Sequence, residues 1–176
     1  MLQDAAAWLD ERPYKEIYDG RIHPKVSPKR DHSLVQVAIG SMLLAWGCDR
    51  GDSGSEWRVY LDDHTSLVPD VSFISDERLE KLSEAELQKP PFAPELVVEI
   101  WSPDNRESLI RRKTTLYLEH GAIAVLDVDP SGRTVRVSTR DGETMLKTGD
   151  TFGHAAFPGL ALSVDAIFAP LDRRRR

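Results

Sequence analysis

The sequence has a single cysteine, Cys48. One thiol excludes an intramolecular disulfide and any thiolate-rich zinc site, and it points to a reducing, cytoplasmic setting. Long hydrophobic runs are also missing. The longest, residues 37–48, is interrupted by Gly40, Ser41 and Gly47. It is too short to span a bilayer and reads as a core helix, so no membrane partner is expected. The first residues carry Asp4, Asp10 and Glu11 without a basic n-region, which is unlike a secretory signal. Internal repeats and low-complexity segments are absent. There is no His-Glu-x-x-His pair, no nucleotide-binding glycine loop and no Gly-x-Ser-x-Gly elbow, so three common kinds of hydrolytic or nucleotide chemistry have no support.

The 176 residues are 40% hydrophobic and 30% charged, which suits one globular domain with a sizeable core. That domain is expected over residues 1–170, with a basic tail at 171–176 that includes Arg173 and Arg176. A net charge of −6 argues against a protein coated in nucleic acid. It leaves room for a local basic groove, because affinity follows where the Lys and Arg lie.

The first thirty residues alternate short helical and turn signals and end in a loop at 24–31. Ser33 is placed to cap a helix through Leu34, Val37, Ala38, Met42, Leu43 and Trp46, closed by Gly47 and the polar cluster at 49–55. Strand patterns follow at 57–61 and 68–74. The charged segment 75–89 suits a short helix, stopped by Pro90, Pro91 and Pro94. A strand at 95–101 precedes a helix over about 104–120, which ends at Gly121. A strand at 122–128, a hairpin at 134–138 and 143–147, and a short closing element at 164–168 complete the chain. This order predicts an α/β domain with a mixed sheet.

Three charges break the pattern of their own element. Glu99 interrupts the run Leu96-Val-Val-Glu-Ile-Trp101, where both faces of the strand are apolar. A buried carboxylate needs a cation nearby, and a structural salt bridge or a functional site would each supply one. Asp70 is the only charge between Leu67-Val68-Pro69 and Val71-Ser72-Phe73, either as a turn cap or as a ligand. On the following helix, taking Leu109 as zero and about 100° per residue, Leu116 lies near −20° and Ile110 near 100°. Lys113 falls at about 40°, inside that apolar arc. It either snorkels to solvent or turns back toward Glu99. Two carboxylates on neighbouring strands suit a hard cation, Mg²⁺ or Mn²⁺, and a lysine beside them suits phosphodiester hydrolysis.

The string Val-Pro-Asp70, then Glu95-Leu-Val-Val-Glu99-Ile-Trp-Ser102-Pro103, then Lys113-Thr-Thr-Leu-Tyr117 and Gly121, then Val128-Asp129-Pro130, resembles the Uma family of restriction-endonuclease-like proteins. That family lies in the PD-(D/E)xK nuclease superfamily. The likeness extends to Glu16-Ile-Tyr-Asp-Gly20 and His32 upstream and to Pro158-Gly159-Leu160 and Phe168 downstream. It implies a restriction-endonuclease-like fold, a mixed central sheet flanked by helices, and Mg²⁺-dependent cleavage of DNA. Pro69-Asp70 would be the PD element and Glu99 the (D/E). Trp101 stands where the superfamily usually has its lysine, so Lys113 would be that lysine moved to the next helix. Leu109 and Leu126 also depart from residues common in the family.

Asp70 and Glu99 are therefore the expected metal ligands and Lys113 the group beside the attacking water. Glu16 is an auxiliary acid approaching from a helix, or else a surface glutamate. Lys29, Arg30 and His32 form the best local basic patch, and Arg106 would add a phosphate contact. A homodimer is expected by analogy, since cutting both strands often uses two sites about a two-fold axis. The alternative is a catalytically silent nuclease fold that binds nucleic acid or another partner. A structural protein with buried ion pairs is a third reading.

Overall fold

The computed structural model describes residues 14–25, 28–102 and 107–173. Six strands make a mixed sheet. In spatial order they are β10 (Gly142–Leu146), β9 (Thr134–Thr139), β8 (Ala124–Asp129), β7 (Leu96–Ile100), β6 (Val71–Ser75) and β3 (Gly51–Ser55). Only β7 and β8 run parallel. A parallel pair cannot be joined by a tight turn, and α4 (Glu107–Glu119) supplies the crossover. A second, four-stranded sheet has the order β2 (Arg21–Pro24), β1 (Lys15–Tyr18), β5 (Thr65–Leu67), β4 (Val59–Asp62).

The alternation of β7 sorts the core into two layers. Leu96, Val98 and Ile100 face α1 (Arg30–Gly47), whose Val35, Ile39 and Leu43 recur every four residues, and α5 (Val164–Phe168) joins the same layer. Val97 and Val125 of β8 face the other way, against Leu116 and Tyr117 of α4 and Tyr18, Val59 and Leu67 of the smaller sheet. With a layer on each side, all five residues of β7 are buried. The predicted mixed α/β architecture is what the chain adopts. Among the described residues no helix is long and apolar enough to cross a membrane.

Several elements differ from the sequence expectation, each for a local reason. The segment before residue 24 is a β-hairpin turned by Asp19 and Gly20, both at positive φ. Its inward positions are Glu16 and Tyr18, so the strand lacks apolar alternation. Helix α1 begins at Arg30, and the Ser33 N–H already bonds the Lys29 carbonyl, so Ser33 lies inside the first turn and caps nothing. The polar cluster after Gly47 contains β3, an edge strand without hydrophobic side chains. Segment 75–89 forms two short helices, α2 (Asp76–Leu79) and α3 (Glu84–Gln88), the second closed by a Ser83–Glu86 capping box. A small pair, β11 (Thr151–Phe152) and β12 (Leu162–Ser163), precedes α5. The expected helix start near residue 104, Arg106, and residues 174–176 of the tail lie outside the described residues.

Gly51 allows β3 to close on β6. A Cβ there would stand 2.1 Å from the Ile74 carbonyl oxygen, a backbone atom that cannot yield without breaking the ladder. Gly51→Ala is expected to lower unfolding free energy in urea by about 1–3 kcal/mol. Gly40 on α1 gives the opposite sign, because a Cβ there would meet nothing within 4 Å. Gly40→Ala should raise it by about 0.5–1 kcal/mol.

Candidate active site

The chain leaves β5 in the smaller sheet and enters β6 in the larger one through residues 68–70. Pro69 has no N–H to leave unpaired at this switch. Asp70 follows it and is 2% exposed. Its backbone N–H bonds the Val98 carbonyl at 3.1 Å, which ties the link to β7. Its carboxylate turns to the end of β7, where Oδ2 accepts the Ile100 N–H at 2.7 Å and lies 3.2 Å from His32 Nε2 on α1. Lys25 Nζ stands 2.7 Å from Oδ1.

Glu99 projects from β7 on the opposite side to Val98 and meets α4. Its Oε1 lies 2.7 Å from Lys113 Nζ and accepts the Tyr117 hydroxyl at 2.8 Å. Glu16 Oε1 is 2.9 Å from the same lysine and accepts the Val68 N–H at 2.8 Å. Lys113 is 7% exposed while Leu109 is 37% exposed, so the buried arc of α4 is centred on Lys113 and Tyr117 and does not include Leu109. The lysine turns inward, toward Glu99, and does not snorkel. Glu16 also reaches the cluster, from strand β1 and not from the helix its local sequence suggested.

Three carboxylates, Glu16, Asp70 and Glu99, thus share two ammoniums, Lys25 and Lys113. Burial raises the Asp70 carboxyl, but Lys25 and the His32 contact outweigh it and hold it well below the usual carboxylate range. Glu99 goes the other way. Burial pushes it up to about 7, and Asp70 and Glu16 add to the push against the opposing pull of Lys113. Burial opposes the charge on Lys113, but Glu16 and Glu99 keep it protonated well above its ordinary value. Burial, then Glu99 and Glu16, push the Tyr117 hydroxyl far up, so it remains a hydrogen-bond donor. Glu99 is thus the carboxyl that burial and its acidic neighbours push toward the neutral form.

Glu16, Lys25, Asp70, Glu99 and Lys113 line a cavity of about 170 Å³, with His23 and Ser102 also on its wall. A second concavity adjoins it, sharing His32 and Ser102 and bordered by Lys29, Arg30 and Trp101. Arg30 is exposed and pairs with Asp31 at 2.7 Å. His32 belongs to the buried cluster more than to this basic rim. Across the sheet, Glu99 is level with Asp127 on β8, which is level with Arg136 on β9. Asp127 accepts from Arg136 at 2.9 Å and from Thr114 of α4 at 3.1 Å. Burial raises the Asp127 carboxyl, partly offset by Arg136. Arg136 also stands over the Trp101 ring, 5.7 Å from its centroid. This network pins α4 one position from Lys113, a use for Asp127 that a turn-flanking aspartate does not suggest.

Lys25 and Tyr117 are the partners that sequence reasoning missed. Tyr117 is visible in the buried arc of α4, but nothing local aims its hydroxyl at Glu99. Lys25 becomes legible only if Asp19-Gly20 is read as a two-residue hairpin turn, since that places it directly after β2, across from Tyr14.

A family model described as "Uma2: Putative restriction endonuclease" matches residues 2–165. The chain belongs to the Uma2 family. Among solved structures it is similar to a putative nuclease from Anabaena variabilis, 25% identical, with a TM-score of 0.82 over 90% of this chain and 92% of that one. No curated protein matches it. The mixed sheet flanked by helices is therefore the restriction-endonuclease-like fold that the sequence resemblance implied.

Hard oxygen donors are the right chemical type for a divalent cation, and the cluster has one more carboxylate than ammonium. Asp70 Oδ1 is buried, yet among the described residues it accepts no well-directed hydrogen bond and meets Lys25 only as an ion pair. The donor set accordingly fits a cation, although no three His, Cys, Asp or Glu side chains among the described residues already converge as ligands.

The charge balance has a pH signature. The Glu99 carboxyl is raised in the folded protein, so its contribution to stability is complete below about pH 4.5 and is lost as pH rises toward 7. Glu99→Gln removes this dependence. In urea titrations with chelator present, wild-type stability should fall relative to Glu99→Gln between those pH values, by on the order of 2 kcal/mol. A flat difference across that window would mean that Glu99 does not hold its proton more tightly in the folded protein.

Proposed function

We propose that this Uma2-family protein is a metal-dependent endonuclease that hydrolyses DNA phosphodiester bonds at the Asp70–Glu99–Lys113 cluster. The observation that carries the proposal is the convergence of Asp70, Glu99 and Lys113, from a sheet-switching link, a central strand and a crossover helix, on one open cavity with a carboxylate surplus. Membership of a family described as restriction endonucleases, and likeness to a protein titled a nuclease, support the same chemistry.

Asp70 and Glu99 would hold Mg²⁺ or Mn²⁺. The ion would supply a bound water of lowered pKa and offset charge on the phosphate. The remaining work falls to the chain itself. Lys113 keeps its proton and presents a positive charge beside Glu99, where it can orient water and stabilise the pentacoordinate phosphorus anion. Tyr117 fixes the rotamer of Glu99 through its hydroxyl, and the Ile100 N–H does the same for Asp70. Glu16 holds Lys113 from the opposite side, acting through the lysine. Lys29 and Arg30 border the adjoining concavity, where a phosphate backbone would pass on its way to the cluster. A homodimer would bring two such sites to the two strands of a duplex.

One observation favours a silent nucleic-acid-binding module instead: both proposed metal ligands are already neutralised within the protein, Asp70 by Lys25 and Glu99 by Lys113. Supercoiled plasmid and single-stranded DNA, incubated with protein and Mg²⁺ or Mn²⁺, separate the two readings. The wild type is expected to cut. Asp70→Asn and Lys113→Met, checked for folding by circular dichroism, should each lose roughly a hundredfold or more in rate. Cleavage that survives both substitutions sinks the site, and binding without cleavage favours the module. Arg30→Gln should weaken DNA binding and reduce its salt dependence by about one counterion.

A further inference from the structure

We infer that Lys25 is the resident counter-ion of Asp70 and that a divalent cation enters this site by displacing it. The inference rests on the metal reading proposed above and assigns its control to a residue outside the Asp70–Glu99–Lys113 set. Lys25 is held at the end of the β1–β2 hairpin by its own N–H, which bonds the Tyr14 carbonyl at 2.7 Å. Its ammonium makes two short contacts, at 2.7 Å to Asp70 Oδ1 and at 2.6 Å to the Val68 carbonyl oxygen. One carboxylate and one carbonyl oxygen are also the donor types that a hard divalent ion selects.

The two oxygens of Asp70 are divided between uses. Oδ2 faces the Ile100 N–H and His32, so it is committed to the fold. Oδ1 is the oxygen left for a cation, and Lys25 covers it. An ammonium nitrogen at 2.7 Å and a metal ion at about 2.1 Å from the same oxygen would put two positive charges side by side in a buried pocket. One of them must leave. Lys25 is the candidate to move, a single charge on a four-carbon stem that lines the cavity and is itself partly exposed. Lys113 is not equivalent, because Glu16 and Glu99 grip it from two sides.

Without metal, Lys25 keeps the buried Asp70 charge compensated, which protects the fold from an unpaired carboxylate. With metal, the released ammonium stays at the cavity mouth, where a substrate phosphate is its next partner. Metal and phosphate then favour the same displaced arrangement, and each strengthens binding of the other.

The test uses the metal-free full chain as wild type, Lys25→Met and Arg21→Gln, titrated with Mn²⁺ by calorimetry and by the electron paramagnetic resonance of free Mn²⁺. Lys25→Met should bind Mn²⁺ about fivefold more tightly or better, whereas Arg21→Gln, an exposed arginine on the same hairpin, should stay within about twofold of wild type. Peptide-resolved acetylation of wild-type protein should also show Lys25 becoming reactive when Mn²⁺ is added. Equal or weaker Mn²⁺ binding by Lys25→Met overturns the displacement while leaving the metal site standing. If neither wild type nor Lys25→Met binds Mn²⁺ at millimolar concentration, the metal reading falls and the displacement with it. Should Lys25→Met not fold, Lys25→Gln makes the same comparison. If that variant also fails, Lys25 acetylation unchanged at saturating Mn²⁺ is the overturning result.

Discussion

A buried Lys113 ammonium between Glu16 and Glu99 is the interaction on which the rest of this structure depends. Removing such a charge from water costs several kcal/mol, and the cost is recovered only with close partners and further hydrogen bonds. Tyr117, the Val68 N–H and the neighbouring Asp70–Lys25 pair supply them. The same arrangement joins helix α4, strand β7 and the smaller sheet from within, while the exposed Arg112–Asp19 pair ties α4 to the β1–β2 turn at the surface. Packing alone would leave the rotation of α4 loosely defined. Charge pairing, with Asp127, Thr114 and Arg136 beside it, fixes which side of the helix faces the sheet.

Much of this was legible in the sequence where a residue contradicted its surroundings. Glu99 inside an apolar strand and Lys113 inside an apolar helical arc each announced a partner, and the two proved to be partners of one another. The order of strands and the crossover helix gave the mixed sheet. The family resemblance carried the fold further than periodicity could. What escaped notice shares a physical cause. Strands β1 and β3 carry too few apolar side chains to show a period of two, because one lines the charged pocket and the other is an edge. Lys25 lies in a loop, where no periodicity exists for it to violate.

The lysine paired with Glu99 comes from α4 and not from the end of β7. Two residues after Glu99, Trp101 lies beneath the Arg136 guanidinium. The helix in turn must be held in place, and the Asp127–Arg136 pair does so from the next two strands. A line of polar side chains from Glu99 to Arg136 therefore crosses an otherwise apolar sheet layer. Glu99 is satisfied from α4 by Lys113 and Tyr117, and Asp127 by Arg136 and Thr114, as buried polar groups must be.

The chain's passage from one sheet to the other at residues 68–70 has a consequence for how the protein can fail. In the pocket Glu16, Lys25, His32, Asp70, Glu99 and Lys113 are each delivered by a separate element: a hairpin strand, the loop after the hairpin, a long helix, the inter-sheet link, a central strand and a crossover helix. No single element contains the pocket, so its completion requires both sheets and helices α1 and α4 in place. Loss of the fold should consequently take the site with it, so that an unfolding copy releases its buried charges together.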